Sequence, residues 1–177
     1  MVRQKIDENR GSTLWSQQTH ATRWPEARGS GARMPRPTGK RSIDMVAIPD
    51  KFLDLLKQKK AFASLATVMP DGSPQVTPVW FDYQDDGTIR VNTAKGRVKA
   101  RNMTEGAPVA LAIMDPDNPY RHIQIRGRVR RATEQGADAH IDSLAKKYLG
   151  KDKYPYSQPG EVRLMIEIEP TSVSVIG

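Results

Sequence analysis

The sequence RVNTAKGRVKARNM, residues 90–103, joins an alternating apolar pattern to a run of regularly spaced cations. Ile89, Val91 and Thr93 alternate along the chain, and this alternation predicts a short β-strand. The cations that follow are Lys95, Arg97, Lys99 and Arg101. Unpaired backbone N–H groups and cationic side chains converge where a strand leads into the N-terminus of a helix, so this segment predicts a phosphate site.

On the helix predicted for residues 95–104, the cations form two pairs of like charge. Lys95 and Lys99 are four residues apart and are expected on one face, with Arg97 and Arg101 on a neighbouring face. Such pairs repel by a few tenths of a kcal/mol, and a bound anion would reverse the sign of that interaction. A basic helix face exposed to solvent is the alternative interpretation of the same pattern.

Length and composition narrow the class of protein. At 177 residues the chain is long enough for one domain with a hydrophobic core. It contains no cysteine, and its histidines (His20, His122 and His140) show no metal-ligand spacing, so we expect no metal site. No apolar run approaches the roughly 20 residues that span a bilayer, and the N-terminus lacks the apolar segment of a secretory signal. We therefore expect a cytoplasmic protein without a membrane partner.

The positive charge is distributed unevenly along the chain. The formal net charge is +8; residues 1–44 contain nine Lys or Arg against four Asp or Glu, and residues 45–177 contain nineteen against sixteen. Residues 1–44 lack sustained apolar periodicity and are rich in Arg, Gly, Ser, Thr and Pro. We predict a basic, flexible N-terminal extension over residues 1–44 and one folded domain over residues 45–177. Trp15 and Trp24 are unusual in such a segment, and their docking onto the body or a partner subunit is the alternative to a wholly unstructured extension.

The folded domain is predicted to belong to the α+β class. Strands are predicted at residues 61–68, 75–83, 88–93, 108–114, 120–132, 162–168 and 173–176. Helices are predicted after Asp50, which is expected to cap the first, at residues 95–104, and from Thr133 to a stop at Gly150. Hairpins of this kind, with the helices outside the strand sequence, favour a mainly antiparallel barrel of six to seven strands with peripheral helices.

Six segments of the chain have a pattern typical of one family. They are residues 66–74 (ATVMPDGSP), 77–81 (TPVWF), 91–93 (VNT), 95–102 (KGRVKARN), 125–129 (IRGRV) and 154–156 (YPY). These segments resemble the pyridoxamine-phosphate-oxidase-like split β-barrel family, and more narrowly its branch that uses the deazaflavin coenzyme F-420 in place of FMN. The resemblance covers about residues 48–177 and does not extend to residues 1–44.

This resemblance implies a homodimer that binds coenzyme F-420, or FMN as the alternative, in a groove where two barrels meet. The cofactor-binding residues that it implies are Thr77, Pro78 and Val79 along the ring and its polyol, Asn92 and Thr93 near the ring, Lys95, Arg97 and Lys99 near the phosphate, and Asn102 at the short helix or the cofactor tail. The sequence leaves the orientation of two side chains open. Arg101 points either inward or outward, and Trp80 either contacts the cofactor ring or packs in the core.

The sequence assigns no catalytic residue, because no pair resembles a nucleophile with its base and no carboxylates are spaced for acid–base work. This absence favours an enzyme whose cofactor carries out the redox step. We expect an oxidoreductase that transfers a hydride from reduced F-420 to a small unsaturated or carbonyl-conjugated substrate. An FMN-dependent oxidase and a non-enzymatic flavin-binding protein are the alternatives, and we expect no nucleic-acid partner. Tyr154 and Tyr156 are expected either to line the substrate pocket or to pack against the barrel.

Overall fold

The structure is a computed structural model and describes residues 46–177. The predicted extension at residues 1–44 lies outside the described residues and remains a prediction. No helix in the described part is both long and apolar enough to cross a bilayer.

Seven antiparallel strands form one curled sheet, and three short or medium helices lie around it. The strands are β1 (Ala63–Val68), β2 (Pro74–Val79), β3 (Phe81–Tyr83), β4 (Ile89–Ala94), β5 (Pro108–Met114), β6 (His122–Thr133) and β7 (Arg163–Ile176). The helices are α1 (Leu53–Lys57), which follows a 3₁₀ turn at Asp50–Phe52, α2 (Val98–Asn102) and α3 (Ala137–Leu149). The strand order is β2-β1-β5-β6-β7-β4-β3, which confirms the predicted α+β split barrel.

The predicted strand over residues 75–83 is wrong, because the chain breaks its ladder at Trp80. Residues before the break pair with β1, where Val79 lies opposite Ala63, and residues after it pair with β4, where Phe81 lies opposite Val91. β2 and β3 are therefore the two edges of the sheet, although a single residue separates them. Since consecutive Cα atoms are about 3.8 Å apart, the two edges must meet at this corner, and the sheet curls accordingly.

The two C-terminal strands predicted at residues 162–168 and 173–176 are also wrong as separate elements, because they form one strand, β7. Its register with β6 shifts between Arg126 and Gly127, where Gly127 lies opposite Pro170. A Cβ atom at Gly127 would lie 2.6 Å from the Glu169 carbonyl oxygen, so only glycine allows the backbones to approach this closely. The irregular register lets the strand continue past a proline, which has no N–H to donate.

Both longer predicted helices are shorter in the structure. α2 begins at Val98, and the preceding Arg97 is extended, with φ −69° and ψ 149°. Lys95 consequently lies before the helix, and the prediction that Lys95 and Lys99 share a helix face is wrong. α3 begins at Ala137 rather than at Thr133, because Thr133 still belongs to β6.

The N-terminal cap predicted at Asp50 is wrong as well. Asp50 is the first residue of the 3₁₀ turn, and no side-chain hydrogen bond caps that turn.

The hydrophobic core lies inside the curled sheet. β6 alternates strictly, with Ile123, Ile125 and Val129 buried between exposed polar residues. Phe52 and Leu56 close one end of the barrel and are wholly buried. Each such side chain contributes roughly 1.5–3 kcal/mol by leaving water. A second, smaller cluster joins α3 to the corner at Trp80 through Ile141, Leu144 and Tyr148, with Tyr154 packed against it.

Candidate functional site

A cavity of about 200 Å³ opens beside the corner where β2 passes into β3. We call it the Trp80 cavity. Its lining residues are Phe62, Pro78, Val79, Trp80, Asn92, Arg97, Lys99, Ile141, Leu144, Tyr154, Tyr156 and Arg163. The break in the ladder at Trp80 brings β2, β4, α2, α3 and β7 to the same place.

Aromatic side chains form one wall of the cavity, and their rings are fixed by packing. Trp80 stacks on Tyr148 with ring centroids 5.1 Å apart and planes 3° apart, and Tyr154 meets Trp80 edge-on. The Tyr148 hydroxyl donates a hydrogen bond to the Ala61 carbonyl oxygen at 2.7 Å. Burial raises the pKa of Tyr148 to about 12, so the hydroxyl stays protonated at neutral pH. The wall is therefore a rigid apolar surface suited to a planar group.

Cations form another part of the lining, and they outnumber the carboxylates beside them. Glu161 accepts hydrogen bonds from Arg97 at 2.9 Å and from Arg163 at 2.6 Å. Arg163 is buried and also lies over the Tyr154 ring, with its guanidinium carbon 4.6 Å from the centroid. One carboxylate is thus shared by two guanidinium groups, and Lys99 adds a further positive charge. The electrostatic balance of this lining favours an anion.

Lys99 is the cation whose environment indicates a ligand most directly. It makes no ion pair or side-chain hydrogen bond with any residue of the described range 46–177. Partial burial lowers the pKa of Lys99, and the neighbouring charge of Arg97 lowers it further. A half-buried ammonium next to a second cation is destabilised, and an anion placed between them would relieve both effects.

Two buried polar atoms of the lining have no hydrogen-bond partner among residues 46–177. Asn92 donates from Nδ2 to the Ala137 carbonyl oxygen at 2.8 Å, but its Oδ1 accepts from no group there. The Nε atom of Arg163 likewise lacks an acceptor. Buried unpaired polar atoms cost roughly 1–3 kcal/mol each, so a donor and an acceptor on a ligand would stabilise the site.

The structure brings five of the nine sequence-predicted cofactor residues to this cavity. They are Pro78, Val79, Asn92, Arg97 and Lys99.

The other four predicted residues lie outside the lining. Thr77 accepts from the Gln75 side chain, and Thr93 is buried on the core face of β4. Lys95 pairs with Glu134 at 2.7 Å. Asn102 donates to the Thr67 hydroxyl at 3.0 Å and so ties α2 to β1, which is the securing role considered for it. No finding tests a direct cofactor role for these residues, which stays a prediction.

Sequence reasoning missed Phe62, Arg163 and the α3 residues of the lining, and it also missed Glu161, which pairs with two cations of the lining. Glu161 lies two residues before Arg163, the first residue of β7, and the two side chains meet at 2.6 Å. The pairing of Glu161 with Arg97, 64 residues away, has no sequence signal. Of the positions left open, Trp80, Tyr154 and Tyr156 line the cavity.

Arg101, the other orientation left open, is exposed and does not line the cavity. It donates to the Gly96 carbonyl oxygen at 2.7 Å.

Two larger depressions have a different chemistry. One, which we call the outer groove, has a volume of about 520 Å³ and lies on the solvent face of β1, β5 and β6. Its cations are exposed and already satisfied, because Arg126 donates to Ser172 at 3.1 Å and Arg128 to the Gly106 carbonyl oxygen at 2.9 Å.

The other depression, of about 730 Å³, lies beside α1 and the turn between β3 and β4. Its cations are paired too, since Lys57 contacts Asp85 at 2.8 Å and Arg130 contacts Asp86 at 3.6 Å. Size alone therefore does not identify the site. No group of His, Asp or Glu in residues 46–177 is arranged to hold a metal ion.

The strand order and the curled antiparallel sheet place the chain in the class of split-barrel proteins. The chain belongs to the pyridoxamine 5'-phosphate oxidase family, whose model matches residues 48–177. This confirms the family suggested by the sequence patterns.

Comparison with solved structures gives the same fold. An F-420 reductase is 32% identical, with a TM-score of 0.62, and the match covers 72% of this chain and 98% of that one. A conserved hypothetical protein from Mycobacterium tuberculosis is 22% identical, with a TM-score of 0.57, covering 78% of this chain and 89% of that one. HupZ from Group A Streptococcus is 18% identical, with a TM-score of 0.54, covering 73% and 94%. The last two show the fold alone. A search of curated proteins gives no significant match.

Proposed function

We propose that the protein is an oxidoreductase that binds coenzyme F-420, with part of the coenzyme in the Trp80 cavity, and reduces a small unsaturated or carbonyl-conjugated substrate. The observation that carries the proposal is the half-buried Lys99, which faces a cavity with an excess of positive charge and a rigid aromatic wall. The similarity to an F-420 reductase at 32% identity favours F-420 over FMN as the cofactor.

The residues of the cavity fit such a group chemically. Lys99, Arg97 and Arg163 supply charge and N–H donors to a phosphate, and guanidinium forks bind phosphate oxygens in a fixed geometry. Asn92 offers a buried acceptor, and the indole of Trp80 together with the Tyr154 ring offers apolar surface to a planar heterocycle. When bound, reduced F-420 supplies a hydride.

The protein's own part in the reaction is positioning and exclusion of water. The raised pKa of Tyr148 keeps its hydroxyl protonated and so removes it as a general base. The rigid wall and the cations would instead hold the reacting groups in one orientation, which is an effective source of rate enhancement. We propose that the proton needed for reduction comes from solvent.

We also propose that the protein is a homodimer, as the family resemblance implies. Exposed apolar side chains on β1 and β2, Val68 and Val76, are 45% and 62% exposed and support an interface on that side of the sheet. Sedimentation equilibrium of the full chain tests this proposal, and a single species of monomer mass would contradict it.

The cofactor is tested by adding F-420 or FMN to the purified protein and following the absorbance of each chromophore. We expect F-420 to bind with a micromolar or lower dissociation constant and more tightly than FMN. A protein that is yellow as purified, or that prefers FMN, would assign it to FMN-dependent chemistry. If neither cofactor binds at micromolar concentration, the proposal is wrong.

Catalysis is tested separately, with reduced F-420 and a panel of conjugated enones, enals and quinones. Oxidation of the cofactor that depends on both protein and acceptor is the expected result. Tight cofactor binding without turnover across the panel would indicate a non-enzymatic binder.

A further inference from the structure

Next to Asn92, and outside the lining of the cavity, lies a partly buried group of polar side chains that the proposed function does not use. Asp82 on β3 and Arg90 on β4 lie opposite each other and form two hydrogen bonds, Nε to Oδ1 at 3.1 Å and NH2 to Oδ2 at 2.6 Å. His140 on α3 is 5% exposed, and its Nε2 atom lies 3.5 Å from Oδ1 of Asp82. The Nδ1 atom of the same ring lies 3.4 Å from Nδ2 of Asn92.

Asp82 is ionised under ordinary conditions and can only accept hydrogen bonds. Burial acts to raise its pKa, but the hydrogen bonds from Arg90 and the nearby His140 ring outweigh that effect and lower the pKa to about 2. At 3.5 Å from Asp82, Nε2 of His140 forms a close polar contact but no full hydrogen bond with any residue of the range 46–177. A carboxylate facing Nε2 requires a proton on that nitrogen. In the neutral ring, Nδ1 is then left as an acceptor.

The Asn92 amide is constrained by two acceptors on the same side. One N–H of Nδ2 donates to the Ala137 carbonyl oxygen at 2.8 Å, and the other faces Nδ1 of His140. Rotating the amide by half a turn would place Oδ1 against two acceptors, which is repulsive. The orientation found in the structure leaves Oδ1 on the other branch of the amide, buried and without a partner in residues 46–177.

We infer that Asp82 and His140 form a positioning pair that fixes the Asn92 amide, so that Oδ1 presents an acceptor to an N–H or O–H donor of the ligand. The pair touches no ligand itself and acts through Asn92. This inference rests on the proposed function for the identity of the ligand, but the orientation of the amide is a property of the protein alone.

The other charged groups around His140 do not disturb this arrangement. Arg90 is held by both oxygens of Asp82. Lys147, on the same helix, donates to the carbonyl oxygens of Leu56 at 2.9 Å and Phe81 at 3.3 Å. Burial lowers the pKa of Lys147, and the charge of Asp82 partly opposes that effect.

The first test uses the full chain without any cofactor. Two-bond ¹H–¹⁵N correlation of the labelled protein at neutral pH reads the tautomer of His140. We expect a neutral ring with the proton on Nε2 and a bare Nδ1. A proton on Nδ1, in either a neutral or a doubly protonated ring, would overturn the inference, because Nδ1 then could not accept from Asn92.

The second test measures the affinity of F-420 and FMN for His140→Phe and His140→Gln. Phenylalanine removes the acceptor, and the affinity of the cofactor that binds wild type should fall about tenfold, the effect of one hydrogen bond. Glutamine can donate to Asp82 and accept from Asn92, so it should restore affinity to within about threefold of wild type. His122→Phe, a substitution on β6 outside the cavity, is the matched control and should leave affinity unchanged.

The outcomes separate the inference from the proposed function. A loss of cofactor affinity in both His140 variants, or in neither of them, contradicts a positioning role. If neither cofactor binds the wild-type protein, the proposed function fails, and the tautomer measurement still decides the inference. FMN methylated at N3 identifies the donor when FMN binds. If methylation at N3 and His140→Phe together lower the affinity by less than the sum of their separate effects, the donor is the ring N–H. If the two effects add, the donor is a hydroxyl group. Either result upholds the positioning pair.

Discussion

The Trp80 cavity and the outer groove both contain cationic side chains, yet they differ in how those cations are satisfied. In the outer groove, Arg126 and Arg128 are exposed and bonded to a hydroxyl and a carbonyl oxygen. In the smaller cavity, Arg97 and Arg163 share one carboxylate, and Lys99 is half-buried without a partner in the described range. The comparison shows that the number of cations or the volume of a depression does not define an anion site. An anion site is defined by positive charge that is uncompensated and partly desolvated, because a bound anion then relieves an unfavourable free energy that is already present in the unliganded protein.

Of the substitutions that distinguish the Trp80 cavity from the outer groove, Lys99→Ala is expected to have the largest effect on F-420 affinity. The F-420 affinity should fall by about 1–3 kcal/mol, or roughly five- to 150-fold, because a charged hydrogen bond in a partly dry site is lost. Arg128→Ala in the outer groove is the matched control and should not change affinity. Isothermal titration of both variants measures the difference. Equal losses, or no loss in either, would remove the distinction between the two regions.

The next effect concerns Asp82, a partly buried residue next to the cavity lining. Its pKa is lowered from 3.8 to about 2 in the folded protein, so it stabilises the fold above about pH 4, and this stability is lost as the pH falls through about 2. Asp82→Asn should lower the free energy of unfolding at pH 7 by about 2 kcal/mol. The difference from wild type should shrink between pH 4 and pH 2 in urea denaturation. Asp152→Asn, which removes an exposed partner of Lys146, should cost less than about 1 kcal/mol.

A smaller effect is expected from Arg97→Ala. Arg97 already shares Glu161 with Arg163 and is about half exposed, so an anion gains less from it than from Lys99. The F-420 affinity should fall by about 1 kcal/mol, or roughly fivefold. A loss larger than that of Lys99→Ala would show that the shared carboxylate does not satisfy Arg97.

The smallest effect is expected from deletion of residues 1–44. The lining of the Trp80 cavity given above comes from residues 62–163 of the folded domain, so F-420 affinity should stay within about twofold of the full chain. Binding of nucleic acid through the basic extension would vanish on the same deletion. A large loss of cofactor affinity would instead place part of the extension in the site.

Much of the fold could be predicted from local sequence patterns. Alternation in residues 120–132 predicted β6, which spans His122–Thr133, and the apolar spacing of α3 predicted Ile141 and Leu144 on its buried side. The failures came where long-range pairing competes with local pattern. Residues 75–83 look like one strand, but the two halves pair with different neighbours. Thr133 looks like a helix start, but it pairs with Met165.

Part of the candidate site could also be predicted from local sequence patterns. Pro78, Asn92, Arg97 and Lys99 were identified from sequence because a family pattern and a run of cations mark them. Lys95 belongs to the same run, yet it pairs with Glu134. No sequence spacing indicates which cation finds a carboxylate 39 residues away and which does not.

By itself, the sequence determined most of the strands, the family and the presence of a basic segment after β4, because these depend on periodicity and residue type along a short stretch of chain. Only the tertiary structure decided that the sheet edges meet at Trp80, that Lys99 stays unpaired among the described residues, and that the His140 ring contacts the Asn92 amide. The physical reason is that burial and charge compensation depend on distances between residues far apart in the chain, and folding alone sets those distances.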